Sequence, residues 1–290
     1  MRTKIIVTGA NGQLGSEIKS LQSKFPFDFI FHDIDTVDIT NEEAVKNLFT
    51  IEKPNFVINC AAYTAVDKAE QDESSAELIN NTAVEILANN CKPYNTNFIH
   101  ISTDYVFDGF NYRPYKEDDA VNPQSVYGKT KLHGEKAAIR YTNAMVIRTS
   151  WLYSSYGNNF VKTMLRLTKE KESLNVIFDQ IGTPTYANDL ADAILSIIYN
   201  ISTNQNQFQW GVYHYSNEGV CSWYDFATEI NSIAGNNCII NAIETHEYPL
   251  PAKRPFYSVL NKHKIKTNYG ISIPHWKSSL KKCMDILLNS

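Results

Sequence analysis

Tyr127 and Lys131 stand four residues apart in a segment of helix-forming residues, with Gly134 and Glu135 just behind them. Positions i and i+4 share one face of a helix, so this spacing places the lysine ammonium beside the phenol. A nearby cation favours the phenolate and lowers the tyrosine pKa, which is ~10 without such a neighbour. The pair therefore indicates a general acid or base at Tyr127. An exposed Tyr and Lys on a surface helix would give the same pattern, so other parts of the chain must decide.

Thr103 is a second candidate, because it directly follows the predicted strand 97–102. In an open parallel sheet, ligands bind at the carboxyl ends of the strands. A hydroxyl at that position can donate a hydrogen bond to the carbonyl oxygen of a substrate. A threonine that caps a loop would be the alternative.

A glycine-rich turn follows the first predicted strand, 4–8, and precedes a predicted helix, 16–21. The glycines are spaced GxxGxxG, which permits a tight turn and a close approach of the backbone to a pyrophosphate. The following helix N-terminus adds N–H donors and the positive end of its dipole. The turn predicts a dinucleotide site formed by Gly9, Asn11, Gly12, Gln13, Leu14 and Gly15.

Asp33 follows the second predicted strand, 27–31, and lies eighteen residues after Gly15. A carboxylate near that distance can accept hydrogen bonds from the ribose hydroxyls of the adenosine. No Arg or Lys follows closely to hold a 2′-phosphate, so NADH should bind at least as well as NADPH. Asp38 and Ile39 would lie near the adenine. A solvated loop acid remains the alternative for Asp33.

The predicted elements alternate between strands and helices throughout the first half of the chain. Further strands are predicted at 55–59 and 143–148, and a long helix at 74–91. This alternation predicts an α/β fold with a Rossmann-type, doubly wound parallel sheet over residues 1–150. The small residues after strand 55–59 would approach a flat cofactor or pack helix against sheet; they are Ala61 and Ala62, followed by Tyr63 and Thr64.

The second half predicts a smaller α/β lobe at 151–290, with some segments returning to the first domain. Helices are predicted at 157–169, 189–199, 222–234 and 276–288, and strands at 174–178 and 211–215. We expect this lobe to close over the cleft and to bind the substrate.

Composition narrows the function classes. The chain has 290 residues, 43% of them hydrophobic, and a net charge of -4. It lacks dense basic stretches and apolar runs of ~18 residues, so we expect neither nucleic acid nor membrane as a partner. Five scattered cysteines without a CxxC pattern and an N-terminus without a signal-peptide pattern predict reduced thiols and a cytoplasmic location. No metal-ligand spacing is present, and we predict no metal.

The glycine turn, Ser102-Thr103 and the YxxxK pair, in this order, resemble the extended short-chain dehydrogenase/reductase superfamily. The chain also resembles one narrow subgroup, the dTDP-4-dehydrorhamnose reductase family, over essentially its whole length. The segments that carry this resemblance are GQLG (12–15), NCAAYTAVDKAE (59–70), STDYVFDG (102–109), RTSW (148–151), NNF (158–160), DQIGTPT (179–185) and RP (254–255).

The resemblance implies reduction of the C4 ketone of a nucleotide-linked sugar, with NADPH or NADH, in nucleotide-sugar and cell-surface polysaccharide biosynthesis. It makes Tyr127 the proton donor, with Thr103 on the reacting oxygen and Lys131 on the nicotinamide ribose. The cofactor would be lined by Gly12, Gln13, Leu14, Asp33, Asp38, Ile39, Ala62, Tyr63 and Thr64. The substrate would contact Thr103, Asp104 and Trp151, and the Arg254 guanidinium would match its diphosphate.

Two positions separate this chain from relatives in the superfamily. Tyr105 stands where a nucleotide-sugar dehydratase would carry a glutamate, which favours simple ketone reduction. Asn188 stands where a glutamate would help to bridge a dimer through a metal, so the resemblance leaves a monomer or a homodimer open. Two other functions remain open: a reductase of another nucleotide 4-ketosugar, and a non-catalytic subunit resembling the methionine adenosyltransferase beta subunit. The intact Thr103, Tyr127 and Lys131 set disfavours the second.

Overall fold

The structure is a computed structural model that describes residues 2–289. Its strands are β1 Lys4–Thr8, β2 Asp28–His32, β3 Phe56–Asn59, β4 Asn97–Thr103, β5 Ala144–Thr149, β6 Leu152–Tyr153, β7 Ser173–Ile177, β8 Ile181–Gly182, β9 Thr185–Tyr186, β10 Gly211–His214, β11 Cys221–Ser222 and β12 Ile239–Ile243. Its α-helices are α1 Gln13–Leu21, α2 Glu42–Glu52, α3 Val66–Ala69, α4 Glu73–Glu77, α5 Ala83–Cys91, α6 Val126–Tyr141, α7 Phe160–Glu170, α8 Ala187–Ser202, α9 Trp223–Ile233, α10 His263–Tyr269 and α11 Trp276–Asn289.

The predicted doubly wound sheet is confirmed. Within residues 2–289, six parallel strands form one sheet in the order β10-β5-β4-β3-β1-β2. The strand order reverses between β1 and β3, because β2 lies on one side of β1 and all later strands lie on the other. A crevice opens at such a reversal, beyond the carboxyl ends of the strands. The glycine turn after β1 and the small residues after β3 both lie at this edge.

Both faces of the sheet are covered, so its inner strands are apolar along their length. Every residue of β3 and of β5 is buried. One core packs Leu14 and Ile18 of α1 and Ile194 of α8 against the sheet. The other packs helices α2 and α5 against the opposite face through residues such as Phe49 and Leu87. Helix α6 belongs to this second side, and the catalytic candidates Tyr127 and Lys131 lie on it.

The second half of the chain forms a core of its own and also returns to the sheet. Helices α7, α9 and α11 bury Val161, Phe226 and Leu280 in one cluster with β6 and β9. However, β10 pairs with β5, and α8 packs in the same core as α1. The division of the chain near residue 150 stays a prediction, and its expected exception, segments that return to the first domain, describes β10 and α8.

Several predicted boundaries moved, and for α7 the reason is a side chain that caps the helix. Helix α7 begins at Phe160, not at residue 157, because the Asn159 side chain accepts a hydrogen bond from the Lys162 N–H and caps it. Helix α1 begins earlier than predicted, at Gln13, directly after Gly12. The predicted helix 74–91 contains a π-helical turn at Leu78–Thr82 between α4 and α5. Strand β12, which pairs with β7, was not predicted.

Candidate active site

A cavity of about 910 Å³ lies at the carboxyl edge of the sheet, between the glycine turn and the second-half residues 149–159. It brings together residues that are distant in the sequence and that were proposed for three different roles. The predicted residues in its wall are Gly9, Asn11, Gly12, Gln13, Leu14, Asp33, Asp38, Ile39, Ala61, Ala62, Thr64, Thr103, Asp104, Tyr127, Lys131 and Trp151. Gly15, Tyr63 and Arg254 were also predicted but do not line it.

The backbone of the glycine turn packs too closely for side chains at Gly9 and Gly15, and such a tight turn lets the backbone approach a diphosphate. Gly9 has a φ of 67°, and a Cβ there would lie 2.5 Å from the backbone nitrogen of Ala61. A Cβ at Gly15 would lie 2.4 Å from the Gly9 carbonyl oxygen, so Gly15 acts through packing and not as part of the wall. Gly12 and Gln13 line the cavity where α1 begins, which puts the positive end of the helix dipole at the wall.

Asp33 occupies the position expected for contact with a ribose. Its carboxylate lies at the end of β2 and lines the cavity. One oxygen accepts the N–H of Asn11 at 2.8 Å, and the other accepts the N–H of Ile34 at 2.8 Å. These bonds orient the carboxylate and tie the loop after β2 to the glycine turn.

Tyr127 lies beside Thr103 at the end of β4, and its ring packs edge-on against Tyr105 with centroids 5.4 Å apart. Desolvation by the surrounding protein raises the pKa of Tyr127 to about 12, although the Thr103 hydroxyl beside it acts in the opposite direction. The expected lowering of the Tyr127 pKa is therefore wrong for this structure, because desolvation outweighs the contributions that lower it. A tyrosine with a raised pKa keeps its proton at neutral pH, which suits an acid that donates it.

Lys131 is buried one turn along the same helix. Its Nζ donates a hydrogen bond to the carbonyl oxygen of Ile101 at 2.6 Å. Burial lowers the pKa of Lys131 to about 8, and the nearby carboxylate of Glu135 opposes that shift. The ammonium thus belongs to the cavity wall and is held by the strand that also carries Thr103.

Asp104 is a buried carboxylate in the same wall. The Thr103 hydroxyl donates to its Oδ1 at 3.0 Å, whereas its Oδ2 makes no hydrogen bond. Burial raises the pKa of Asp104 to about 7. The Ser258 hydroxyl lies beside this carboxylate and acts against the effect of burial on its pKa.

An aromatic pair forms the far side of the cavity. The rings of Trp151 and Trp223 stack with centroids 3.6 Å apart and an interplanar angle of 9°, and both line the cavity. Trp151 has a φ of 48°, a left-handed conformation that is rare for a bulky residue and is typical of functional sites. The flat pair offers an apolar surface to a sugar or a base.

Known proteins resemble this chain over nearly its whole length. The family model for the RmlD substrate binding domain matches residues 3–289. The dTDP-4-dehydrorhamnose reductase of Aggregatibacter actinomycetemcomitans is 41% identical over 286 residues, 96% of this chain and 97% of that protein. This chain belongs to the dTDP-4-dehydrorhamnose reductase family.

Solved structures of the family are similar in fold as well. The dTDP-4-dehydrorhamnose reductase of Clostridium acetobutylicum has a TM-score of 0.93 at 44% identity, covering 99% of this chain and 100% of that chain. The dTDP-4-dehydrorhamnose reductase of Bacillus anthracis, solved in complex with NADP, has a TM-score of 0.93 at 37% identity, again covering 99% and 100%. The family resemblance expected from the sequence is therefore confirmed.

Arg254, the predicted diphosphate ligand, forms an ion pair outside the main cavity. Its guanidinium donates to both oxygens of Asp67, at 2.9 and 2.7 Å. It lines a second cavity of about 390 Å³ together with Lys253, Tyr248 and Phe256. In this structure, Arg254 is thus paired with a carboxylate and lies outside the wall of the main cavity.

Asn188, which replaces the glutamate expected from some members of the superfamily, makes a contact inside the protein. Its Nδ2 donates to Glu17 at 2.8 Å, and the Ser154 hydroxyl donates to the other Glu17 oxygen at 2.5 Å. Glu17 is buried. Across residues 2–289, we find no group of three or more His, Cys, Asp or Glu side chains arranged to hold a metal.

Sequence reasoning missed several residues of the site. Ser102, Thr149 and Ser150 line the cavity. They lie at the ends of predicted strands, where ligands bind in parallel sheets, so the strand pattern could have indicated them. Trp223 and Asn159 arrive from the second half of the chain and carry no such signal. Asn80 lies behind the wall on the π-helical turn and bonds the backbone of Tyr63, which explains why Tyr63 is fixed without lining the cavity.

In the described part of this chain, 2–289, no helix has the length and apolar character needed to cross a bilayer.

Proposed function

We propose that this chain reduces the C4 ketone of dTDP-4-dehydro-β-L-rhamnose to give dTDP-L-rhamnose, with NADPH or NADH as the reductant. The observation that carries the proposal is the convergence of Thr103, Tyr127 and Lys131 on one cavity that also contains the glycine turn. Membership of the dTDP-4-dehydrorhamnose reductase family supports this substrate class. The pathway would be that of nucleotide sugars for cell-surface polysaccharides.

The order of the residues along the cavity wall suits one orientation of a bound dinucleotide. The glycine turn and the start of α1 would hold the diphosphate, and Asp33 would accept hydrogen bonds from the adenosine ribose. Asp38 and Ile39 would border the adenine, and Lys131 would hold the nicotinamide ribose near Ile101. A dinucleotide held by these residues would supply the hydride for reduction at sugar C4.

The protein's own contribution to the reaction is a proton and a polar environment. Tyr127 would donate its proton to the C4 oxygen as negative charge develops there. The Thr103 hydroxyl would hydrogen-bond the same oxygen, and stabilisation of this charge is usually the largest single catalytic contribution. Because the pKa of Tyr127 is raised to about 12, the residue is in its acid form across the neutral range.

The opposite side of the cavity would bind the rest of the substrate. Asp104, which lines the cavity, would accept a sugar hydroxyl, and Trp151 would cover an apolar face of the ring. The Arg254 contact with the diphosphate remains part of this proposal, and there the diphosphate would share the guanidinium with Asp67 or displace it.

Two alternative functions keep the same residues. A reductase of another nucleotide 4-ketosugar would use the same chemistry with a different base or sugar. A regulatory subunit would bind the dinucleotide without turnover, as in proteins resembling the methionine adenosyltransferase beta subunit. Tyr105, in the position of the dehydratase glutamate, favours reduction over water elimination. We also propose a cytoplasmic location, a monomer or homodimer, and no nucleic acid or membrane partner.

The test follows NADPH oxidation with enzymatically prepared dTDP-4-dehydrorhamnose for the wild type and for Tyr127→Phe. We expect rapid oxidation by the wild type and a loss of roughly 10²- to 10⁴-fold in the variant, as for other general acids. NADPH should still bind to the variant. Oxidation only with CDP- or GDP-linked ketosugars would identify another reductase. NADPH binding without oxidation of any ketosugar would support the regulatory subunit.

A further inference from the structure

Helix α6, which carries Tyr127 and Lys131, contacts three successive residues at the end of strand β4. Tyr127, Lys131 and Glu135 follow one another at intervals of four on α6, so they share one face of the helix. Lys131 Nζ donates to the Ile101 carbonyl oxygen at 2.6 Å, and the Ser102 hydroxyl donates to Glu135 Oε1 at 2.5 Å. Thr103, the next residue of β4, lies beside Tyr127.

Glu135 is also fixed from the neighbouring strand. Arg148 Nε donates to its Oε1 at 2.8 Å, and Nη2 donates to its Oε2 at 2.7 Å. The two side chains are only 4% and 3% exposed. Arg148 pairs in register with Ser102 across β5 and β4, and its guanidinium lies 5.0 Å from the centroid of the Phe107 ring. The Glu135 carboxylate therefore has one defined position between α6, β4 and β5.

A buried ion pair of this kind is weak evidence for stability, because desolvation offsets most of its Coulomb energy. Its location suggests a different role. Glu135 lies one turn beyond Lys131 and accepts a hydrogen bond from Ser102. The two neighbours of Ser102 in the strand are Ile101, which accepts a hydrogen bond from Lys131, and Thr103, which lies beside Tyr127. Neither Glu135 nor Arg148 lines the main cavity, so both would act through other residues.

We propose that Glu135 is a positioning residue: held by Arg148 and Ser102, it fixes the catalytic helix against β4, and its negative charge keeps Lys131 protonated. The inference rests on the proposed reductase function, in which Lys131 holds the nicotinamide ribose as a cation.

The charges around Lys131 support the second part of this role. Burial lowers the pKa of Lys131, and the Glu135 carboxylate opposes that shift most strongly, ahead of Cys60. Burial raises the pKa of Cys60, which leaves a neutral thiol, and lowers the pKa of His100, which leaves a neutral imidazole. Tyr127 also keeps its proton at neutral pH. Of the groups coupled to Lys131 within residues 2–289, Glu135 is thus the anion, and Arg148 is the cation that pairs with it.

The main test is the double variant Glu135→Gln/Arg148→Gln. It removes both charges together, so no unpaired ion is left buried, and the two amides can still bond each other and Ser102. The titration of Lys131 can be followed in the cofactor-free protein by the carbon-13 shift of its ε-carbon, assigned with Lys131→Met. We expect its midpoint, about 8 in the wild type, to fall by roughly one pH unit in the double variant. An unchanged midpoint would overturn the electrostatic part.

Steady-state kinetics with NADPH and dTDP-4-dehydrorhamnose test the same idea in the reaction. The alkaline limb of kcat should move to lower pH in the double variant, while the KM for NADPH near pH 6 stays within roughly threefold of wild type. If the wild type itself does not reduce the ketosugar, the proposed function fails, and the titration of Lys131 still decides the present inference.

Ser102→Ala tests the positional part and leaves both charges of the ion pair in place. It removes the bond between β4 and Glu135, and we expect kcat to fall roughly tenfold with the alkaline limb in place, because a displaced acid reacts more slowly. A wild-type kcat would overturn this part, whether or not the double variant folds. Glu77→Gln is the matched control: it removes the partner of His133 on the exposed side of the same helix. Its pH profile should equal that of the wild type.

Discussion

Lys131 donates a hydrogen bond of 2.6 Å to the carbonyl oxygen of Ile101, at the end of the strand that also carries Thr103. The i, i+4 spacing with Tyr127 had suggested that the ammonium acts on the phenol. Instead, the Tyr127 pKa is raised by desolvation, and the ammonium is anchored to the strand. A neutral, protonated tyrosine is the form that a reductase needs as its acid. The lysine is left to hold the nicotinamide ribose, which stays a prediction.

The buried ammonium of Lys131 should cost stability at neutral pH. Its pKa is lowered to about 8 in the folded protein, against ~10.4 in an unfolded chain. Between these values the unfolded chain binds more protons, so this group makes stability rise with pH, and below pH ~8 the full penalty applies. We therefore expect Lys131→Met to raise the free energy of unfolding near pH 7 by roughly 3 kcal/mol. The gain should disappear near pH ~10.4.

Urea unfolding of both proteins across this pH range measures the difference. Lys129→Met is the control, because Lys129 lies on the same helix but is exposed. Its difference from wild type should stay near zero at every pH. A Lys131→Met difference that does not change with pH would contradict the lowered pKa. The variant should lose most of its reductase activity, a common relation between stability and function at active sites.

Asp33 should determine which dinucleotide is preferred. Its carboxylate is oriented by the N–H groups of Asn11 and Ile34 and lies where an adenosine ribose would bind. A negative charge there accepts from ribose hydroxyls and repels a 2′-phosphate. We expect Asp33→Ser to raise the KM for NADH and lower the KM for NADPH, so that their ratio shifts by roughly tenfold or more.

Steady-state KM values for the two cofactors, measured at the same ionic strength, give this ratio. Asp35→Ser removes an exposed acid from the same loop and should leave it unchanged. A ratio that moves equally in both variants would show a general effect of net charge, not a contact with the ribose.

The sequence was sufficient where local pattern and topology determine position. Gly9, Thr103 and Ala62 lie at or just beyond the ends of strands, and the carboxyl ends of parallel strands meet at one edge, so their convergence could be predicted. Trp223 could not, because its contact with Trp151 depends on tertiary packing between residues that are 72 positions apart in the sequence. The pKa of Tyr127 was also out of reach, because burial depends on residues that are distant in the sequence.

The ion-pair partner of Arg254 is another feature that the sequence could not predict. Its type was suitable for a diphosphate, but its partner in the structure, Asp67, lies 187 residues away and could not be identified from spacing. Burial counts against the charged form of Arg254, and the hydrogen bonds to Asp67 outweigh it, so its pKa is raised. The same contact lowers the pKa of Asp67.

The Asp67–Arg254 pair should compete with substrate. If the diphosphate binds Arg254, Arg254→Met should raise the KM for dTDP-4-dehydrorhamnose by roughly 10- to 100-fold, the range expected for a charge-assisted bond. Asp67→Asn should lower that KM several-fold, because the guanidinium loses a competing anion. The KM for NADPH should change little in either variant.

Lys253→Met is the matched control for these kinetics, because Lys253 lines the same second cavity as Arg254. A similar rise in KM for both variants would indicate nonspecific attraction of an anionic substrate. An unchanged KM in Arg254→Met would remove Arg254 from the substrate site and leave the ion pair with a structural role.

Asn80 should matter for both stability and cofactor affinity, although it lies behind the cavity wall. It is fully buried on the π-helical turn, a feature that is frequent at functional sites. Its Oδ1 accepts the Tyr63 N–H at 2.9 Å, and its Nδ2 donates to the Tyr63 carbonyl at 3.2 Å and to the Thr130 hydroxyl at 3.1 Å. One side chain thus ties the exit of β3 to helix α6.

Asn80→Ala would leave the backbone N–H and carbonyl of Tyr63 without this partner. We expect the free energy of unfolding to fall by roughly 2–4 kcal/mol, because buried polar groups that lose their bonds are costly. NADPH affinity should fall with it, because Ala62 and Thr64 flank Tyr63 in the cavity wall. Asn81→Ala is the control, since Asn81 bonds only along its own helix, to Glu77. Urea unfolding and NADPH titration separate the two effects. A loss of stability with unchanged NADPH affinity would show that Asn80 holds the fold together without shaping the cofactor site.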